Sequence, residues 1–414
     1  MNSIPIDLSF DIFSRLSSKS IARCRCVSKQ WDSMLQRPDF KELFLTRSRF
    51  RPRILFALCE SGERDELLFF SSPQHQIPYE NSSLEVAPDF HMKLPGKGDE
   101  EDIWGYASGL MYFPNMWNAK KGEDRVNVIC NPSTGLCVDL PKLDLPKLRT
   151  DVHSTSYLGF DPIDKQFKVL FITKSSSDHR ILTLGTGKMS WREIKCSLTH
   201  IIPQGKGICI NGVLYYLGRH CGYGSYMIVC FDVRSEKFKF VDGGYIFCYD
   251  TKLVNYKGKL GVIVEYWSYD DASVDETVTL DLSIWVLDDI EKQEWSEHEF
   301  TLRDDYFFHN HNVSVVGLTA DGEIVLLSLE HNFGAFYVLF FNPEGNTLQS
   351  VRFRAKHEGL SSGSNTVYAF LNHEEDLEFN IRKTTYAATS SNAQLRGRFE
   401  SNNIFNALCL SDND

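Results

Sequence analysis

The feature that most restricts what this chain can fold into is a repeat of about fifty residues. One element of it is an apolar stretch, a polar turn, and a second stretch that often begins with an aromatic residue. It occurs at Asn131-Pro132-Ser133-Thr134, at Gly185-Thr186-Gly187-Lys188 before Trp191, and at Asp232-Val233-Arg234-Ser235 before Phe238. It returns at Asp288-Asp289-Ile290-Glu291 before Trp295 and at Asn342-Pro343-Glu344-Gly345 before Leu348. The starting positions 131, 185, 232, 288 and 342 lie 54, 47, 56 and 54 residues apart. A second element, a glycine turn followed by an apolar run, precedes most copies: Gly109-Leu110-Met111-Tyr112, Gly212-Val213-Leu214-Tyr215, Gly258-Lys259-Leu260-Gly261 and Gly322-Glu323-Ile324-Val325.

Short runs rich in Val, Ile, Phe and Tyr, bounded by Gly, Asp and Asn, read as strands. Each unit offers about four of them, an inner apolar strand and an outer hairpin, which is a propeller blade. Five units span 100–354. Ile54–Leu58, Leu67–Phe70 and Thr366–Leu371 supply further strands, and joining the two ends of the chain in one blade makes six. The expectation is a small all-α head, residues 1–48, followed by an all-β domain, residues 49–375, folded as a six-bladed β-propeller. A β-sandwich with irregular repeats is the alternative. Trp191, Trp295 and Phe238 are predicted to be buried between strands. Residues 376–414 are polar and predicted to be disordered.

The first 48 residues follow a different period. Leu8, Ile12 and Leu16 recur every four positions, as do Val27, Trp31 and Leu35, so helices with an apolar face are predicted. Asp7 suits a helix start, Ser20 is a candidate cap, and Pro38-Asp39 restarts the chain before Phe40, Leu43 and Phe44. A unit of about 45 residues is too small to be comfortably stable alone, so it needs a partner surface. An N-terminal cap on the following domain would satisfy the same need.

Charge separates the two regions. Residues 1–50 hold nine Lys or Arg and five Asp or Glu, a net of +4; the whole chain is −11, so residues 51–414 carry −15. An acidic body argues against nucleic-acid binding, which needs clustered Lys and Arg. No apolar run approaches the ~18 residues that span a bilayer, and the N-terminus shows no secretory signal. Eleven cysteines without repeated spacing argue against a disulfide framework and for a cytoplasmic or nuclear protein.

Signs of catalysis or cofactor binding are absent. Cys24 and Cys26 point apart on a helix, and His309 with His311 lacks an evident third ligand, so no metal is expected. No phosphate loop, serine elbow or Cys-His nucleophile pattern appears, and no cofactor and no enzyme activity are expected. The longest unpatterned inserts, His220–Tyr226, Trp267–Thr277 and Leu302–Asn312, carry Tyr223, Tyr226, Trp267, Tyr269, Tyr306 and Phe307. These aromatic types dominate protein-binding hot spots, which makes them candidate target-binding residues. Asp270, Asp271, Asp275, Asp304 and Asp305 lie among them and would favour a basic partner. Ordinary packing of each aromatic on its own blade is the competing reading.

Two stretches resemble known families. The run Ile4-Pro5 through Lys19-Ser20-Ile21-Ala22-Arg23-Cys24-Arg25-Cys26-Val27-Ser28-Lys29-Gln30-Trp31 resembles the F-box, with Ile4-Pro5 where the family usually reads Leu-Pro. The phrases SGLMYF, ICNPSTG, LGFDPIDKQFKVL, LGTGKMSWREI, GICINGVLYYLG, LSIWVLDD and FYVLFFNPEG resemble the F-box associated domain of plant F-box proteins. Together they cover about residues 3–372. The resemblance implies the non-catalytic substrate-recognition subunit of an SCF-type ubiquitin ligase. Its head would dock a Skp-family adaptor and, through it, a cullin scaffold; its β domain would bind a target protein. Ile4, Pro5, Leu8, Ile12, Ile21, Val27 and Trp31 are the adaptor-binding candidates, some of them shared with the head core. An F-box-headed scaffold without a role in ubiquitination is the alternative.

Overall fold

The computed structural model describes residues 4–60, 66–74, 85–95, 105–117, 125–143, 154–173, 178–185, 189–202, 206–220, 224–243, 247–248, 251–269, 278–308, 313–329, 335–354, 365–378 and 381. Four helices come first: α1 (Ile6–Phe13), α2 (Ser18–Val27), α3 (Lys29–Leu35) and α4 (Pro38–Arg49). Serines divide them. Ser17 accepts the Ser20 N–H and caps α2, a role the sequence had suggested for Ser20 itself, and Ser28 accepts the Trp31 N–H and caps α3. Pro38 opens α4, where its missing N–H is not needed. Phe13, Ile21, Leu35, Phe40 and Phe44 form the head core.

The β region is a ring of six antiparallel sheets, apart from one short parallel addition. The first blade closes the ring: the last strand, Asn365–His373, pairs with the first, Arg53–Glu60, followed outward by Glu66–Pro73 and Asp89–Pro95. The second blade runs Gly105–Ala107, Leu110–Trp117, Arg125–Asn131 and Leu136–Asp139, and the third runs Ser154–Asp161, Gln166–Thr173, Asp178–Thr183 and Arg192–Lys195. In the fourth, His200–Ile201 and Ile208–Ile210 both pair with Val213–His220, and Tyr226–Asp232 and Phe238–Asp242 lie outside them. The fifth is Lys252–Tyr256, Lys259–Tyr269, Val278–Asp289 and Glu294–Arg303. The sixth is Val313–Leu318, Ile324–Leu329, Ala335–Asn342 and Thr347–Arg354, edged by the parallel pair Glu85–Val86.

The repeats become turns for a physical reason. Gly109, Gly212, Gly258 and Gly322 each have φ between 80° and 93°, a left-handed backbone that only glycine adopts without strain. At the outer turns the first polar side chain satisfies the next backbone donors. Asn131 Oδ1 accepts the Thr134 N–H at 3.3 Å, Asp232 Oδ1 the Ser235 N–H at 2.6 Å, and Asn342 Oδ1 the Glu344 N–H at 2.9 Å.

Continuous apolar runs follow from burial on both faces. Along Arg53–Glu60, Ile54, Phe56 and Leu58 face the sixth blade while Leu55, Ala57 and Cys59 face the second. An apolar core fills each of the six junctions between neighbouring blades. Blades approach closely where side chains are absent: a Cβ on Gly159 would lie 2.7 Å from Val233 Cγ2 of the next blade. Trp191, Trp295 and Phe238 are half-buried, each against one of these junction cores. The Trp191 indole N–H donates to the Pro141 carbonyl at 2.9 Å, so its wet edge keeps a partner.

Two expectations change. Cys130 and Cys137 stand opposite each other across the outer hairpin of the second blade, Cα–Cα 4.1 Å, and form a disulfide. The packed chain also continues past 376: Leu377 packs on the head core and Ile381 is buried at the junction of the second and third blades.

Candidate functional site

The outer face of the head is apolar and open. Ile4, Leu8 and Ile12 are 64%, 57% and 52% exposed, and Val27 at the end of α2 is 66% exposed. Pro5 is exposed beside them. Helix α1 is apolar on two sides: Phe10 and Phe13 turn inward onto Phe40 and Trp31, at ring-centroid distances of 5.2 and 4.9 Å. That packing forces Leu8 and Ile12 outward. The same geometry removes Ile21 from the adaptor-binding candidates, because it is fully buried in the head core. Trp31 is half-buried and mainly joins α3 to α1.

Charged side chains hold α1 in this pose. Arg47 Nη1 of α4 donates to the Asp11 carbonyl at 2.7 Å and Arg51 Nη2 to the Ser14 carbonyl at 2.6 Å, satisfying carbonyls left free at the helix end. Arg47, and then Arg15, hold the Asp11 carboxyl below the usual carboxylate range. The head as a whole is seated by the segment that follows the last strand. Glu375 Oε1 accepts from Ser18 Oγ at 2.6 Å and from the Ser18 N–H at 3.2 Å, placing a carboxylate at the start of α2. The Glu375 N–H donates to Ser48 Oγ at 2.6 Å, and Arg49 pairs with Glu374 at 3.1 Å. Leu377 then enters the head core.

The candidate target-binding aromatics separate into groups. Trp267 lies on the strand Lys259–Tyr269 and meets Phe308 of the short helix α5 (Asp305–Phe308) edge-on at 5.7 Å. Phe307 meets Tyr337 of the sixth blade at 5.0 Å. Both pack on the core between the fifth and sixth blades, so they are blade-packing residues and not free loop anchors. Tyr226 opens a strand and packs on a different core, between the fourth and fifth blades. Tyr269 ends its strand and Tyr306 lies in α5. Tyr223, Asp270, Asp271 and Asp275 lie outside the described residues, as do His309 and His311. Sequence reasoning missed Tyr266, 56% exposed; strand alternation turns it to the face opposite Trp267.

Two interior features were also missed. Lys206, between the two inner segments of the fourth blade, places its ammonium 4.6 Å from the Tyr368 ring centre on the innermost strand of the first. Surrounding protein, and then the Lys252 charge, push it down to about 8. His179, Cys196 and His200 converge at the junction of the third and fourth blades, all three buried. Burial pushes His200 down and Cys196 up from their ordinary values. Cys196 and His200 stand four residues apart in the sequence, and the blade packing brings His179 to them from seventeen residues before Cys196.

The comparisons with known proteins agree with this geometry. Residues 1–45 match the F-box-like family model and residues 53–374 the F-box associated beta propeller domain. The chain belongs to the F-box protein family. Three Arabidopsis thaliana relatives carry F-box names. At1g30920 is 50% identical across 95% of this chain and 97% of its own length. F-box protein At3g57590 is 45% identical across 94% and 95%, and F-box protein At1g47340 45% identical across 89% and 80%. The F-box match contains the exposed Ile4, Leu8, Ile12 and Val27. The propeller match stops at Glu374, one residue before the glutamate that seats the F-box. Among the described residues no helix is long and apolar enough to cross a membrane.

Proposed function

We propose that this F-box protein is the substrate receptor of an SCF-type ubiquitin ligase, cytoplasmic or nuclear, with no catalytic residue of its own. The observation that carries the reading is that Ile4, Leu8 and Ile12 along α1, and Val27 at the end of α2, are all more than half exposed and outside the head core. Apolar side chains this exposed on short helices suit the anchors of a helix-groove interface. The net positive head suits an acidic Skp-family adaptor, which bridges to the cullin. The propeller loops present the target protein, since inner strands are committed to packing and only the loops are free to vary. Tyr266 and the ends of the fourth and fifth blades, near Tyr223, Tyr226, Tyr269 and Tyr306, are the proposed target surface.

The test is co-purification with a Skp-family adaptor. The wild-type chain is expected to retain it, and Ile4→Ala with Pro5→Ala is expected to lose it while the propeller stays folded. Unchanged capture by that double variant would remove the docking assignment and favour the scaffold reading. Tyr266→Ala is expected to weaken target capture without affecting the adaptor, and to leave the fold unchanged because its side chain is exposed.

A further inference from the structure

The receptor role makes no use of His179, Cys196 and His200, yet they form the most concentrated set of soft donors among the described residues. His179 lies on the third strand of the third blade, Cys196 directly follows that blade's outermost strand, and His200 opens the fourth blade. One ligand atom from each lies within 4.8 Å of the other two, and no Asp or Glu among the described residues joins them.

We propose that these three side chains bind one soft d10 metal ion, Cu(I) or Zn(II), which staples the third blade to the fourth. Imidazole and thiolate together select such ions over Mg, Ca or Mn, which prefer oxygen. In a metal site of this kind ligand atoms stand about 3.3–3.8 Å apart, so a closing movement of about 1 Å completes it. His200 is already oriented. Its Nδ1 lies 3.0 Å from the Leu198 carbonyl, which fixes Nδ1 as the donor and leaves the Nε2 lone pair for a ligand. Nε2 accepts from the Tyr216 hydroxyl at 3.2 Å, the hydrogen bond that a bound ion would replace. The Phe238 ring, 5.7 Å from that of His179, walls the cluster with carbon. Such surroundings favour a low total charge: two neutral imidazoles and one thiolate sum to zero with Cu(I) and to +1 with Zn(II). On binding, the Cys196 S–H bond breaks, a sulfur–metal bond forms and the proton leaves to solvent. An ion supplied as Cu(I) or Zn(II) undergoes no redox change.

The test uses the full chain, purified reduced and stripped with a chelator, its fold checked by circular dichroism. It is titrated separately with Zn(II), with Cu(I) under reductant, and with Co(II) as a spectroscopic probe. The expected result is one equivalent of Zn(II) or Cu(I) retained through desalting, a thiolate-to-cobalt charge-transfer band, and a raised melting temperature. Competition against a chromogenic chelator ranks the two ions. Cys196→Ser and His179→Gln are each expected to weaken binding by about 100-fold, since losing a ligand costs at least what losing its outer-shell support does. Folded wild-type chain that retains no stoichiometric ion and shows no thiolate band overturns the proposal, whether or not the variants fold. So does equal retention by the variants. Neither result bears on adaptor binding, so the receptor reading stands or falls separately.

Discussion

The head and the propeller spend their apolar side chains in opposite ways. In the propeller almost every large hydrophobic residue lies in a core between blades, and among the described residues Tyr266 and Ile163 are the large apolar side chains on it that reach solvent broadly. The head is far smaller, yet it leaves Ile4, Ile6, Leu8, Ile12, Val27 and, at the end of α4, Phe50 outside. A closed ring has no free edge and can saturate itself. Four short helices around five core residues cannot, and the surplus apolar surface is left exposed. The difference teaches that one chain holds a body that buries its apolar side chains within itself and a head that cannot.

The largest expected effect tests the sealed half. Phe336 is fully buried between Phe56 and Phe353, at 4.9 and 5.6 Å, where the sixth blade meets the first. Phe336→Ala is expected to cost about 3–5 kcal/mol, against a usual domain stability of about 5–15 kcal/mol. Denaturant titration reads it, and a wild-type midpoint would show that the junction is not packed as described.

Next comes the open half. Leu8→Ala with Ile12→Ala is expected to weaken adaptor binding by about 2–3 kcal/mol, roughly 30-fold or more. Stability should move by less than about 0.5 kcal/mol, because neither side chain is in a core. Calorimetry with the adaptor and a melting curve separate the two quantities. A large drop in melting temperature would mean that the stripe is structural.

Acid is expected to act on the closing blade. His373 is buried between the Tyr106 hydroxyl and Ser133, and burial, then the Arg53 charge, push it down to about 3. Burial lowers His91 of the same blade as well. A histidine whose folded value is depressed contributes stability above its unfolded value of about 6.5 and loses it as pH falls. From pH 7 to pH 5 His373 alone should cost about 2 kcal/mol. Asp376 runs the other way: burial raises it to about 6, so its segment gains stability over the same drop in pH. Hydrogen-exchange protection factors in Asn365–His373 and Arg53–Glu60, corrected for the intrinsic slowing of exchange in acid, should therefore fall at pH 5 ahead of the other blades. Uniform behaviour in all six would count against this assignment.

The smallest expected effect sharpens the boundary between the halves. Glu375→Gln removes the carboxylate from the start of α2 and should cost about 1–2 kcal/mol, confined to the seat of the head. Faster exchange in the first turn of α2 with unchanged propeller exchange is the expected pattern. No change at Ser18–Ile21 would show that Leu377 and the other contacts seat the head without it.

What the residues alone determined is local in origin. Glycine was needed where φ is positive, at Gly109, Gly212, Gly258 and Gly322. Asn131, Asp232 and Asn342 end strands because their side chains satisfy turn donors, and double-sided burial writes itself as unbroken apolar runs such as Ile54–Leu58. From these the six blades and their closure by both chain ends were legible. The tertiary structure decided what depends on residues far apart meeting. In α1 both faces are apolar, so only the packing of Phe10 and Phe13 on Phe40 and Trp31 settles that Leu8 and Ile12 face outward and that Ile21 does not. Trp267 and Phe307 read as loop anchors until the strand and α5 carried them onto the core of the fifth and sixth blades. Glu375 reaches Ser18 and Ser48 across more than 300 residues, where no periodicity survives, and His179 joins the neighbouring Cys196 and His200 only because the third and fourth blades pack together. Local rules act through neighbouring dihedrals and hydrogen bonds; convergence is set by how whole blades and helices pack.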